Sequence, residues 1–204
     1  MDTLTAISSR RSVKHFDPNH RMSEAEEEQL LQLALLSPTA FNIQHWRFLV
    51  VRDPQLRQQL RQLSWNQPQV TDSSLYVILC ADLQAWNKEP ERYWQNAAEH
   101  VRQWIVKAMA DYYGAFPQTQ RDEAIRSCGM AAQTIMLAAK AMGYDSCPMA
   151  GFDYAAVGAL IRLPADHIVV MSIAIGKPLQ PAQARAGQLP LSVVRLLDRF
   201  PEQS

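Results

Sequence analysis

Glycine is scarce in this chain. Only seven of 204 residues are glycine, at 114, 129, 143, 151, 158, 176 and 187, and no two form G-x-G. That excludes the Rossmann dinucleotide fingerprint and the Walker A loop, since both need glycine for backbone to approach phosphate closely. A phosphorylated ligand would have to be held by Arg, Lys and Ser side chains instead. Cysteine is equally sparse: Cys80, Cys128 and Cys147 are odd in number and form no C-x-x-C pair, so neither a disulfide framework nor a zinc knuckle is implied. G-x-S-x-G and H-E-x-x-H are absent, and the five histidines are scattered without ligand spacing, so no metal centre is expected. Twenty Lys+Arg balance twenty Asp+Glu, leaving no basic field for nucleic acid. The longest uncharged window, Gln29 to Trp46, contains Pro38, Asn42 and three glutamines, which rules it out as a membrane helix. The first residues carry Asp2, Arg10, Arg11 and Lys14 and no apolar signal core, so a cytoplasmic location is expected.

The length suits one domain, residues 1–204, and no internal repeat or linker divides it. Asp2-Thr3 can cap a short helix reaching Arg10. Ser23-x-x-Glu26 is a capping box, followed by Leu30, Leu31, Leu33, Ala34 and Leu36 until Ser37-Pro38 stops the helix. Trp46 to Val51 reads as a strand, and Asp53-Pro54 opens a helix through Leu63. Leu75 to Ala81 reads as a strand buried on both faces. Two long helices are expected next. The first runs from about Glu89 to Tyr113 with Trp94, Ala97, Val101, Trp104, Ala108 and Tyr112 on one side. The second runs from Thr119 or Gln120 to about Met142, with Gly143 as its C′ residue. Tyr144 to Cys147 and Ile168 to Ile175 are further strands, with an Asp153-capped helix between them. Four or five strands among six or more helices make an α+β layered fold.

Three segments carry chemistry. Arg10-Arg11-Ser12-Val13-Lys14-His15-Phe16 places three cations and a hydroxyl just past a helix, a phosphate cradle that needs no glycine. By itself it is equally the solvated basic cap of a helix C-terminus. Ser37-Pro38-Thr39-Ala40-Phe41-Asn42-Ile43-Gln44-His45-Trp46 presents Asn and Gln two apart, suited to the edge of a heterocycle, or else an ordinary turn with Trp46 in the core. Cys147-Pro148-Met149-Ala150-Gly151-Phe152-Asp153 is a rigid turn into a capped helix, whose backbone N–H groups can address a ligand atom or simply make the turn.

Taken in this order, the segments resemble the nitroreductase family of FMN-dependent oxidoreductases over essentially the whole chain. RRSVKHF is similar to the family's R-x-S-x-[RK]-x-[FY], and SPTAFNIQHW to S-P-[ST]-x-x-N-x-Q-P-W. RDEAIRSCGMAAQTIMLAAKAMGYDSCPMAGFD resembles its core helix and C-P-M-x-G-F-D turn, and RAGQLPLSVV its C-terminal segment. The resemblance implies a central, mostly antiparallel sheet of four to five strands surrounded by helices, and a homodimer whose C-terminal tails wrap the partner subunit. It implies FMN as cofactor, with Arg10, Arg11, Ser12, Lys14 and Arg185 toward the phosphate and ribityl chain. Asn66 and Gln69 would meet the pyrimidine ring, and Pro148, Met149, Ala150 and Gly151 would lie along the ring with a backbone N–H at N5. Pro38, Thr39, Ala40 and Asn42 would arrive from the other subunit.

The chain departs from the family pattern at Ala150 (often Glu), at Gln69 (Lys in some branches), at His45 (usually Pro) and at Gln188 (Arg in some members). Gln69 leaves a cation missing near N1, which bears on the redox potential, and His45 could offer a polar group near the site. The implied reaction is ping-pong: NADH or NADPH gives hydride, leaves, and a nitroaromatic, quinone or similar small-molecule electron acceptor takes the electrons. The cofactor carries the chemistry, so no catalytic side chain is assigned. Phe116, at a helix end beside Gly114 and Pro117, is the residue expected to touch substrate. The same fold also serves dehalogenation, flavin fragmentation and azoline oxidation, and a dimer that only binds flavin is a further alternative.

Overall fold

Residues 1–201 are described by the computed structural model, and their elements follow in the order α1 (Thr3–Ser9), α2 (Glu24–Ala34), β1 (Trp46–Val50), α3 (Pro54–Leu63), α4 (Gln69–Asp72), β2 (Leu75–Asp82), α5 (Glu99–Ala115), α6 (Pro117–Ala141), β3 (Asp145–Met149), α7 (Tyr154–Leu160), β4 (His167–Gly176) and α8 (Leu191–Val194). The four strands form one sheet in the order β1-β2-β4-β3, antiparallel at every pairing. β2 is buried at all eight positions, and its period of two divides the core. Leu75, Val77, Leu79 and Ala81 pack with α2 and α6, while Tyr76, Ile78 and Cys80 pack with α3, α7, Val13 and Phe16. Ala124, Ser127, Cys128, Ala131, Ala132 and Ala139 line the buried side of α6, and such small side chains let the helix lie close to the sheet.

Local chemistry sets several boundaries as expected. The Ser23 hydroxyl accepts from Glu26 N while the Glu26 carboxylate accepts from Ser23 N, completing the capping box. Asp53 and Asp153 cap α3 and α7. α6 ends in a Schellman arrangement: Tyr144 N donates to Ala139 O at 2.9 Å, Gly143 N donates to Lys140 O at 3.1 Å, and Gly143 takes φ +81°.

Other expectations need correction. The helix expected from Glu89 is broken: a 3-10 turn spans Pro90–Trp94, and α5 starts only at Glu99. Its buried stripe is Ile105, Met109 and Tyr113, whereas Trp104 and Tyr112 are exposed. An i, i+4, i+8 stripe one residue along meets the third core cluster of Ile43, Ala85, Phe41 and Trp86. α6 begins earlier than expected, at Pro117, where proline suits the first helical position. Pro148 and Met149 belong to β3 rather than to a turn. Apart from these corrections, the tail from Leu179 to Gln188 makes hydrogen bonds within its own chain: Leu179 N donates to His15 O, and Arg11 donates to Gln183 O. The apolar residues beyond it, Leu191, Val194, Leu197 and Phe200 among them, are exposed. No helix among the described residues is long and apolar enough to cross a membrane.

Candidate functional site

The Arg10 segment is placed by a bridge to β3 and two buried anchors. Past α1 the chain extends, Val13 N donates to Ser146 O at 3.1 Å, and Ser12 forms a parallel bridge with Ser146 of β3. Val13 and Phe16 are buried anchors, and Ser12, Lys14 and His15 beside them are exposed. Arg10, Arg11, Ser12 and Lys14 thereby line one cavity of about 520 Å³, closed on the far side by the tail from Gln180 to Gln188, Arg185 included. Arg10 Nη1 is buried there with no hydrogen-bond partner among the described residues. Arg185 Nη2 donates to Ser8 O and Arg10 O, each at 3.1 Å, so it caps the carbonyl end of α1 and fastens the tail to it. The same cations reach β3: burial pushes the Cys147 thiol up, while Lys14, a Gln69 hydrogen bond and Arg10 pull it the other way.

The second wall adjoins the first through Gln69, which is buried at the start of α4 with Nε2 4.0 Å from Cys147 Sγ. Gln69 Nε2 donates to Gln67 Oε1 at 2.9 Å, and Gln67 Nε2 donates to Gly151 O at 3.1 Å. One amide chain thus ties the Asn66–Gln69 turn to the end of β3. Asn66 is exposed at φ +55°, beside Trp65 at φ +53°, two consecutive non-glycine residues in the left-handed region. Met149 is buried, Ala150 is exposed, and Gly151 lies against the Trp65 ring. Sequence reasoning missed Trp65 and Gln67; the only signal was their position flanking Asn66 in Trp65-Asn66-Gln67-Pro68-Gln69.

The Pro38 segment lies elsewhere. Asn42 Nδ2 donates to Tyr93 O at 2.8 Å, and Trp94 Nε1 donates to Phe41 O at 2.8 Å, fastening this loop to the turn before α5. Thr39 Oγ1 accepts from Gln44 N at 3.1 Å, and Gln44 Nε2 donates to Asn42 O at 3.2 Å. The two amides expected to face a ligand together are therefore partly engaged with each other. Among the described residues no hydrogen bond joins Pro38, Thr39, Ala40 or Asn42 to the Arg10 cavity or to Pro148–Gly151. Phe116 belongs with this loop: it is 55% exposed, 5.7 Å from the Tyr112 ring, which is 6.0 Å from Phe41.

His45 offers nothing to either group. It is 1% exposed, with Nδ1 3.1 Å from Ser127 Oγ and Nε2 unpartnered among the described residues. Burial pulls its pKa down to about 4, against the pull of Asp82, so the imidazole is a neutral core group. Asp82, Asp166 and His167 converge within 4.8 Å, but Lys88 Nζ already bridges the carboxylates, at 2.9 Å from Asp82 and 2.6 Å from Asp166. That ion cluster fastens the ends of β2 and β4.

Comparison with known proteins agrees with this geometry. The Nitroreductase family pattern matches residues 7–177. Protein DrgA of Synechocystis sp. is 52% identical over 204 residues, covering 98% of this chain and 97% of its own. YodC of Bacillus subtilis, named by inference as an NAD(P)H nitroreductase, is 34% identical over 198 residues, covering 95% of this chain and 97% of its own. A structure from Exiguobacterium sibiricum, solved in complex with FMN, superposes with a TM-score of 0.90 at 28% identity, covering 97% of this chain and 98% of that one. The antiparallel four-stranded sheet, the cationic cavity and these likenesses agree: the chain belongs to the nitroreductase family.

Proposed function

We propose that this protein is an FMN-dependent oxidoreductase that takes hydride from NADH or NADPH and reduces small electrophilic acceptors, nitroaromatics and quinones among them. One observation carries the reading: Arg10 lines a cavity with Arg11, Ser12, Lys14 and Arg185, and its Nη1 is buried and unpartnered among the described residues. A buried donor without an acceptor is costly, and a phosphate oxygen would satisfy it with a charge-assisted bond. The family resemblance supplies the rest of the assignment, and the FMN bound by the Exiguobacterium relative supports it.

Bound FMN would supply the hydride and electron transfer, because no side chain here is arranged as a nucleophile or a general acid-base pair. Arg10, Arg11, Ser12 and Lys14 would hold the phosphate and ribityl chain, and Arg185 would keep the tail closed over them. Asn66 and Gln69 would address the pyrimidine ring. Gln69 brings a neutral amide where a lysine would bring charge, so the reduced, anionic form would gain less stabilisation from this residue. Pro148, Met149, Ala150 and Gly151 would line the ring, with backbone N–H groups as donors.

Pro38, Thr39, Ala40, Asn42 and Phe116 stand apart from that cavity within one chain, so their part in the site would come from the second subunit of a homodimer. The exposed apolar tail beyond Gln188 supports such a partner. The test is the visible spectrum of the purified protein, followed by anaerobic NADH or NADPH. Flavin bands that bleach, and recover when a quinone or nitroaromatic is added, are the expected result. A colourless protein that takes up no added FMN would overturn the proposal, and a flavin that neither nicotinamide reduces would leave only flavin binding.

A further inference from the structure

Arg57 presents a physical problem that the flavin site does not solve. It lies in α3 and is only 9% exposed. Its Nε donates to Val51 O at 2.8 Å and its Nη1 to Ser73 O at 2.6 Å, both backbone carbonyls. No carboxylate pairs with it among the described residues. Burial, and secondly the neighbouring Arg21 guanidinium, hold its pKa down to about 10. Buried charges in proteins are ordinarily paired, because an uncompensated one is strongly destabilising. The Arg21 guanidinium, the next cause of the shift, has the same sign.

Arg57 and Arg21 both line a cavity of about 410 Å³ between the start of α2, α3 and the α4–β2 junction. Arg21 donates only to backbone carbonyls, those of Pro18 and His20. Of the other charged groups on the wall, Arg52 is paired with Glu27 at 2.8 Å, and Glu24 is an exposed residue in the first turn of α2. Ser73 also lines the cavity. It is 2% exposed, and its Oγ has no hydrogen-bond partner among the described residues. Two guanidinium groups that no carboxylate pairs among the described residues line this space, and beside them lies a buried hydroxyl without a partner, with Glu24 the one unpaired carboxylate on the wall.

We propose that this cavity is a second anion site, separate from the Arg10 cavity, that takes a phosphate dianion, either free or as the end of a small phosphomonoester. Two cations match a doubly charged tetrahedral oxyanion, and the forked guanidinium geometry suits its oxygens. The Ser73 hydroxyl supplies the donor that a third oxygen accepts. None of the residues lining this cavity lines the Arg10 cavity, so the two can be occupied together. The competing explanation is a structural clamp, in which Arg57 merely ties Val51 to Ser73 and needs no anion. The proposal does not depend on the redox chemistry assigned above.

Full-length protein saturated with FMN is titrated with inorganic phosphate, against chloride at matched ionic strength, following heat of binding and Tm. A saturable rise in Tm specific to phosphate is expected. Arg21→Gln should weaken the phosphate affinity about tenfold, by removing one charge-assisted bond. Ser73→Ala should weaken it a few-fold with the fold intact, since it deletes one oxygen from a helix–strand junction. A parallel titration with glycerol phosphate separates the sources: tighter binding than inorganic phosphate indicates an ester, weaker binding indicates the free ion. No saturable response in the wild type would overturn the proposal, leaving Arg57 as a clamp. A response unchanged in both variants would also overturn it, because the phosphate would then be bound elsewhere.

Discussion

The Trp65 indole packs against Gly151: a Cβ added at that glycine would stand 2.6 Å from Trp65 Cζ3. Trp65 is otherwise open to solvent, 77% exposed, on a turn held in the left-handed region. Glycine is used at 151 because an aromatic ring occupies the place of its side chain. Gly151→Ala should therefore push the indole away from this turn and change tryptophan emission, with a stability loss below about 1 kcal/mol because the ring can move into water. Trp65→Ala in the same chain should cancel that loss. A double-mutant cycle in urea reads the coupling, and independent, additive effects would show that ring and glycine do not meet in solution.

Arg10 makes a second prediction, opposite in sign for the two states of the site. Its Nη1 is a buried donor without a partner, so Arg10→Ala in the FMN-free protein removes an unfavourable group and should lower Tm little or raise it. With FMN present the same substitution deletes a charge-assisted bond worth about 1.5–3 kcal/mol, or about 10- to 150-fold in Kd. Quenching of flavin fluorescence measures the affinity, and thermal melts of the FMN-free protein measure the other half. Equal FMN affinity in wild type and variant would remove Arg10 from the phosphate site.

Much of this was legible because it is local. The Ser23–Glu26 box, the Asp53-Pro54 start and the Gly143 stop each depend on residues within one helical turn, so the sequence alone displays them. β2 and β4 were legible because strands buried on both faces are apolar throughout most of their length. The grouping of Arg10, Ser12 and Lys14 was visible as spacing, since an extended chain turns alternate side chains the same way, whereas Arg11 falls on the other parity. What escaped the sequence is contact between distant segments. Trp65 meets Gly151, and Arg57 is buried under the α4–β2 junction, although in Pro54–Leu63 it reads as one polar position among several. His45 escaped for the same reason: its partner Ser127 lies on α6, and burial there converts a supposed site residue into core. The α5 face failed because two apolar stripes, one residue apart, were available, and only the packing of Phe41 and Trp86 chooses between them.

The buried imidazole gives the stability a distinct acid limb. His45 has its pKa lowered from 6.5 to about 4, so between those values the unfolded chain binds a proton that the folded chain refuses. Stability is therefore full above about pH 7, falls as pH drops from 6.5 toward 4, and is unaffected by this group below that. The loss is on the order of 3 kcal/mol. Glu26, pulled down to about 2 chiefly by the Ser23 hydroxyl, and Asp166, pulled down to about 2 chiefly by Lys88, act later: their stabilisation is lost only as pH falls through the carboxylate range. Urea midpoints at pH 7.5, 6 and 5 should decline in wild type and stay nearly level in His45→Gln, both proteins then weakening below pH 4. Parallel declines in the two proteins would place the proton uptake elsewhere.

The tail divides at Gln188 into two parts with different jobs. Up to that point Arg11, Arg185 and Leu179 hold it to its own chain, and it walls the Arg10 cavity. Beyond it, Leu191, Val194, Leu197 and Phe200 offer apolar side chains to solvent, an arrangement that a partner surface would relieve. A chain ending at Gln188 should keep the cavity wall and its fold, yet sediment with the mass of one subunit where the full chain sediments as two. Because Pro38–Asn42 would then no longer reach the cavity of a second subunit, FMN affinity should fall with the loss of the dimer, although Arg10, Ser12 and Lys14 are untouched. A shortened chain that stays dimeric with unchanged FMN affinity would assign the interface to other surfaces, such as the exposed Leu4 and Ile7 face of α1. A full-length chain that is monomeric with FMN bound would show that one subunit completes the site, and Pro38, Thr39, Ala40 and Asn42 would then have no part in it.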